Sequence, residues 1–304
     1  MTGAQVHWIE KLTVQVAAVA ALAGGYFLAF PAMRGSDPEL AVAFMPTGSY
    51  VQGMVFAVMV LVLAAACALL TLPARPEGAL VAALIGAGGV SARSPGFRTL
   101  LWTQSGGLGG LYLGLIAEVA FLAVVLAGAF AVIGLVRRVM TAAWPGLVWK
   151  PPTEGAASSG SPRPPQGRSA RAGTDLGRSL GAMGLELALG MVLLLVFLQS
   201  SDRGQVIFAL LAGFALAVIA ANRLCPVRES HFFWLAPMAV AVLFYLLGWV
   251  SSAGASSGNW TAVPLYANIL PVDWLTAGCG GAALGYWISQ RAGESRYSEE
   301  AAKD

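Results

Sequence analysis

Seven stretches of the chain, each approaching 20 residues or more, carry at most one charged side chain apiece. That feature constrains the fold most, because a helix needs roughly 20 apolar residues to cross the hydrocarbon of a bilayer. The stretches are 13–31, 53–72, 108–136, 179–199, 205–222, 231–250 and 273–290. Inside lipid every backbone N–H and C=O must be satisfied by the segment itself or by a closed barrel. No alternating ten-residue pattern is present, which leaves helices. The expected fold is therefore an all-α polytopic integral membrane protein, a helical bundle of seven to eight transmembrane segments. Composition agrees: 57% of the residues are hydrophobic and 11% charged, against about 25% charged in soluble domains.

The stretch 141–178 breaks this pattern with proline, glycine and serine and divides the chain into a membrane half 1–140 and a second membrane half 179–290, followed by a tail 291–304. The linker carries Lys150, Arg163, Arg168, Arg171 and Arg178 against Glu154 and Asp175. The positive-inside rule assigns it to the cytoplasm. The second half then threads with the turn at Arg203 outside, Arg223 and Arg228 inside, and the tail with Arg291, Arg296 and Lys303 inside, so the expected C-terminus is cytoplasmic. The N-terminal sequence MTGAQVHWIEKL offers no small-residue cleavage site, and the first helix is expected to be retained. Alanine and glycine richness is associated with GC-rich bacterial genomes, which makes a bacterial cytoplasmic membrane the expected location.

The first half threads less simply. Arg75, Arg93 and Arg98 follow the second helix, and Arg137 ends the next confident span in the same compartment. One more crossing is required, and the segment 78–102 supplies it only if its short apolar part, 78–90, spans; otherwise that segment is re-entrant. A tandem duplication into two four-helix halves favours eight spans. Phe56, Pro73, Arg75, Tyr112 and Arg137 recur as Phe208, Pro226, Arg228, Tyr266 and Arg291 at offsets of 152 to 154.

Gly106, Gly110, Gly114 and Glu118 stand at intervals of four and share one helix face. Small residues at that spacing let helix backbones approach closely. Gly281 and Gly285, after Ala277, form a second such packing face, and Ala182, Glu186 and Gly190 a third. Glu118 and Glu186 are intramembrane acids, and an ionisable group at that depth is a functional hypothesis by default. Together they make the candidate proton or cation site. The competing reading is that each bonds a neighbouring polar group and fixes helix register. Asp273, directly after Pro271, is expected to cap the last helix.

Several functions lose support. Cys67, Cys225 and Cys279 have no CxxC spacing, so neither a disulfide framework nor a zinc site is expected. His7 and His231, the two histidines, give no pairs for a chain of haems. No Walker A, HExxH or Gly-x-Ser-x-Gly motif stands in a suitable setting. The net charge of +3 lies in loops without aromatic interleaving, and nucleic acid is not an expected partner. The tryptophans, near span ends, are expected to anchor at the interface.

The expected function is a non-catalytic membrane subunit that scaffolds or anchors a larger complex, with the lipid bilayer and other protein subunits as partners and no resident cofactor. A secondary transporter or proton-conducting protein working through Glu118 and Glu186 is the alternative. The length and four-plus-four plan also resemble quinone-reactive membrane anchors of respiratory oxidoreductases, which would make quinone or lipid a ligand. That resemblance is one of architecture and assigns no residues.

Overall fold

The computed structural model describes residues 3–33, 41–103, 107–148, 168–227, 231–252 and 263–301. Among them the chain forms helices joined by turns, with no strand. Residues 149–167 of the expected linker fall outside these residues, as do Gly106 and Trp260.

α1 (Gly3–Ala23) continues through a π-helical turn, Gly24–Ala29, into α2 (Phe30–Met33). The turn falls where the backbone meets α4 (Pro76–Arg93): a Cβ on Gly25 would run into the carbonyl of Gly86. α3 (Tyr50–Leu70) returns, a short α5 (Phe97–Thr103) follows α4, and α6 (Leu108–Ala143) closes the first half. The second half holds α7 (Arg168–Phe197), α8 (Arg203–Leu224) and α9 (His231–Ser251). Its last helix opens as α10 (Pro271–Asp273), passes through a π-helical turn at Trp274–Gly278 and ends as α11 (Cys279–Ala301).

Six helices among the described residues are long and apolar enough to cross a membrane: Trp8–Met33, Tyr50–Leu70, Leu108–Ala143, Leu176–Phe197, Arg203–Leu224 and His231–Ser251. The chain is therefore a multi-pass helical bundle, but the count is six where the hydropathy pattern predicts seven or eight. The difference lies in α4 and the last helix. Both are surrounded by protein: Leu80, Leu84, Ala87 and Val90 of α4 are fully buried, as are Trp274, Leu275, Cys279 and Ala282. Helices facing lipid must be apolar outside, and these expose Leu28, Val51, Val124 and Leu224. A helix enclosed by other helices has no such requirement, which is how α4 comes to lack a full-length apolar run, while the last helix is divided by its π-helical turn.

α4 is longer than its apolar part suggests. Its 18 residues reach from Pro76 to Arg93, about 27 Å at 1.5 Å per residue. Glu77 and Arg93 lie in its first and last turns and hide its full length from an apolar-run count. α4 packs against α1, α3 and the last helix, which makes the two enclosed helices a common core.

The expected duplication is reflected only in part. α1 packs on α4 as α7 packs on α9, and α3 on α6 as α8 on α11. α3 also packs along α4, whereas α8 and α9, the matching pair, do not run together.

Candidate functional site

Glu118 is fully buried on α6, and its partner comes from a loop instead of a helix. Residues 41–49, between α2 and α3, are tucked into the bundle, with Ala41, Val42, Ala43 and Phe44 all buried. Irregular backbone at this position must find acceptors for its N–H groups. The Phe44 and Met45 amides donate to Glu118 Oε2 at 2.7 and 3.0 Å, and the Val42 amide donates to Ser94 Oγ at 2.9 Å. The segment closes on a turn at Gly48, whose φ of 69° suits a residue without a side chain. Phe44 then stacks obliquely on Phe56 at 5.5 Å. Glu118 Oε1 has no hydrogen-bond partner.

The glycine ladder leading to Glu118 works differently from the helix-packing face predicted for it. A Cβ on Gly114 would touch Pro46 of the same buried loop at 3.2 Å, so this glycine admits a loop. Gly110 is exposed with nothing within 4 Å of a Cβ position. Gly106 lies outside the described residues. Gly281 and Gly285 do form a packing face: a Cβ on either would strike a carbonyl of α8, at Leu211 and Ala215 respectively.

Glu186 is equally buried on α7, but neither carboxyl oxygen has a hydrogen-bond partner. On the same face Ala182 is fully buried and Gly190 meets the Phe214 ring of α8. No hydrogen bond joins the two acids into one site: Glu118 faces the loop before α3, and Glu186 lies one turn from Gly190, which meets Phe214 of α8. A charge at the centre of a span costs at least about 2.5 kcal/mol. Glu118 recovers part of that through two amide bonds, whereas Glu186 recovers none from its surroundings.

Sequence reasoning missed two polar layers at opposite ends of the core. In the first, Arg203 of α8 grips Asp273 in a two-pronged ion pair, Nη1 to Oδ2 and Nη2 to Oδ1, both at 2.6 Å. Ser91 Oγ donates to Asp273 Oδ1 at 2.5 Å, and Arg203 Nε donates to the Ser91 carbonyl at 3.0 Å. The Leu270 amide donates to Asp273 Oδ2 at 3.3 Å, so the expected capping role is present within a larger clamp joining α4, α8 and α10. Arg203 carried a usable signal: a cation in a turn assigned to the outer face runs against the positive-inside bias and calls for a partner.

In the second layer Arg291 Nη2 lies 2.7 Å from Glu10 Oε2, tying the last helix to the first. Arg137, which charge counting treats as a topology residue, is buried and donates to the carbonyls of Thr71, Leu72 and Ala74, the last at 2.7 Å. A guanidinium there satisfies carbonyls left open at the end of α3.

Other expected residues fall into plainer roles. Trp234 and Trp274 are core residues, unlike the exposed Trp8, Trp102 and Trp144. His231 packs edge-on against Phe130 at 4.9 Å. Asn222 donates to Ser289 Oγ and accepts from the Val227 amide at 3.2 Å, binding the end of α8 to the last helix. Among the described residues no group of three His, Cys, Asp or Glu could hold a metal ion. Comparison of the chain with known protein families, with curated proteins and with solved structures finds no match.

Proposed function

We propose that the chain is a non-catalytic integral membrane subunit that anchors or scaffolds a larger complex in a bacterial cytoplasmic membrane. One observation carries the reading: most of its buried charge fixes one part of the chain against another. Glu118 holds a loop, Arg203 and Asp273 lock helix ends, Glu10 and Arg291 join first helix to last, and Arg137 closes α3. Such ties make a rigid body of the kind an anchor requires. Arg137 and Arg291 stand in the sequence just before the basic linker and at the start of the tail, which the positive-inside rule assigns to the cytoplasm as the partner-facing side. Affinity capture from native membranes in mild detergent tests the reading. It expects a second polypeptide in fixed stoichiometry; recovery of this chain alone would sink it. An iron–sulfur or molybdenum protein as that partner would turn the anchor toward quinone chemistry.

Proton conduction or secondary transport is the second reading, and one observation favours it: Glu186, unlike Glu118, has no hydrogen-bond partner. It predicts that Glu186→Gln abolishes proton-coupled flux in liposomes, and undiminished flux would exclude that residue from transport.

A further inference from the structure

Glu186 lies on α7 seven residues into the apolar stretch 179–199, within a helix long and apolar enough to cross a membrane. The carboxyl is fully enclosed by protein, and neither oxygen accepts or donates a hydrogen bond. α8 and α9 pack on α7, and at Gly190 the nearest neighbour is the phenyl ring of Phe214. Among the described residues no side chain of α7, α8, α9 or the last helix hydrogen-bonds with the carboxyl, and the titratable group of the last helix within its electrostatic reach is the fully buried thiol of Cys279. Glu118, at comparable burial, has two backbone amides to hold a negative charge.

These surroundings select the ligand. A bound sodium, potassium or calcium ion takes several oxygen ligands, and here the carboxyl belongs to no cluster of three His, Cys, Asp or Glu among the described residues. A proton needs only the carboxyl itself and leaves a neutral group suited to an apolar interior. We propose that Glu186, a fully buried carboxyl on α7 without a hydrogen-bond partner, is an intramembrane proton-binding site. On binding, a carboxylate oxygen takes the proton of a hydronium and leaves water; release is the reverse. Ala182 and Ser179, one and two turns towards the start of the span, keep the face small between the carboxyl and that end. This deepens the second reading above, but proton binding and proton transport fail in separate experiments.

The test uses full-length protein in native membrane vesicles treated with dicyclohexylcarbodiimide, an apolar reagent that modifies protonated carboxyls, followed by peptide mass spectrometry. The expected adduct lies on Glu186, persists in Glu118→Gln and is lost in Glu186→Gln. Its yield falls about tenfold per pH unit once the medium passes the titration midpoint. No adduct on Glu186 at acidic pH, or a yield that ignores pH, would overturn the proposal. Infrared spectroscopy of the same three proteins gives a second readout independent of reagent access. A protonated-acid carbonyl band should vanish in Glu186→Gln and remain in Glu118→Gln; a spectrum without that difference also overturns it.

Discussion

Replacing Glu118 by alanine should release the segment 41–49 from the bundle. In the native protein one carboxyl oxygen accepts the amides of Phe44 and Met45 at 2.7 and 3.0 Å in the interior of the bundle. Alanine leaves both donors buried and unpaired. Each such group costs about 1–3 kcal/mol, which gives about 2–6 kcal/mol for the pair. Glutamine keeps an oxygen at the same reach for both amides, so its cost should be smaller, about 1–2 kcal/mol. Reversible unfolding of the detergent-solubilised protein measures both. A cysteine placed at Ala43, which is buried in the native segment, should become reactive to thiol reagents in the alanine variant alone. Equal stability of the alanine and glutamine variants, with Ala43→Cys shielded in both, would refute the claim that Glu118 works as the acceptor for this loop.

Three further outcomes follow from the same geometry. Arg203→Ala should cost about 3 kcal/mol by stranding Asp273, and Asp273→Ala a similar amount, while the double variant should cost clearly less than their sum; a double-mutant cycle measures the coupling. Gly281→Ala and Gly285→Ala should each lose about 1–3 kcal/mol of stability, because the new methyl strikes α8 backbone, whereas Gly110→Ala should be neutral or gain up to about 1 kcal/mol. In a background lacking the native cysteines, Ala92→Cys and Arg138→Cys should react with impermeant reagents from opposite faces of the membrane; reaction from one face would show that α4 does not cross.

Much of the bundle was legible in the sequence because lipid imposes a demand that only apolar helices meet. The six helices that face lipid announce themselves for that reason. α4 was legible only as a fragment, 78–90, because a protein-enclosed helix can end in Glu77 and Arg93 and be rich in glycine. The depth of Glu118 was also readable, since a charge inside an apolar run needs a partner. Its partner was not, because the amides of Phe44 and Met45 lie more than 70 residues away on a segment that reads as an ordinary loop. The glycine spacing had the same limit: Gly285 and Gly110 sit in similar small-residue stripes, yet one meets backbone and the other open space. Spacing fixes which residues share a face but leaves open what that face meets.

The central claim, that the chain is one part of a larger membrane assembly, is tested most directly by native mass spectrometry of the particle released from membranes in mild detergent or lipid nanodiscs. The chain alone weighs 31.4 kDa. The account predicts a particle whose mass requires at least one different polypeptide in whole-number ratio. A particle accounted for by this chain and lipid, as a monomer or as copies of itself, would contradict it.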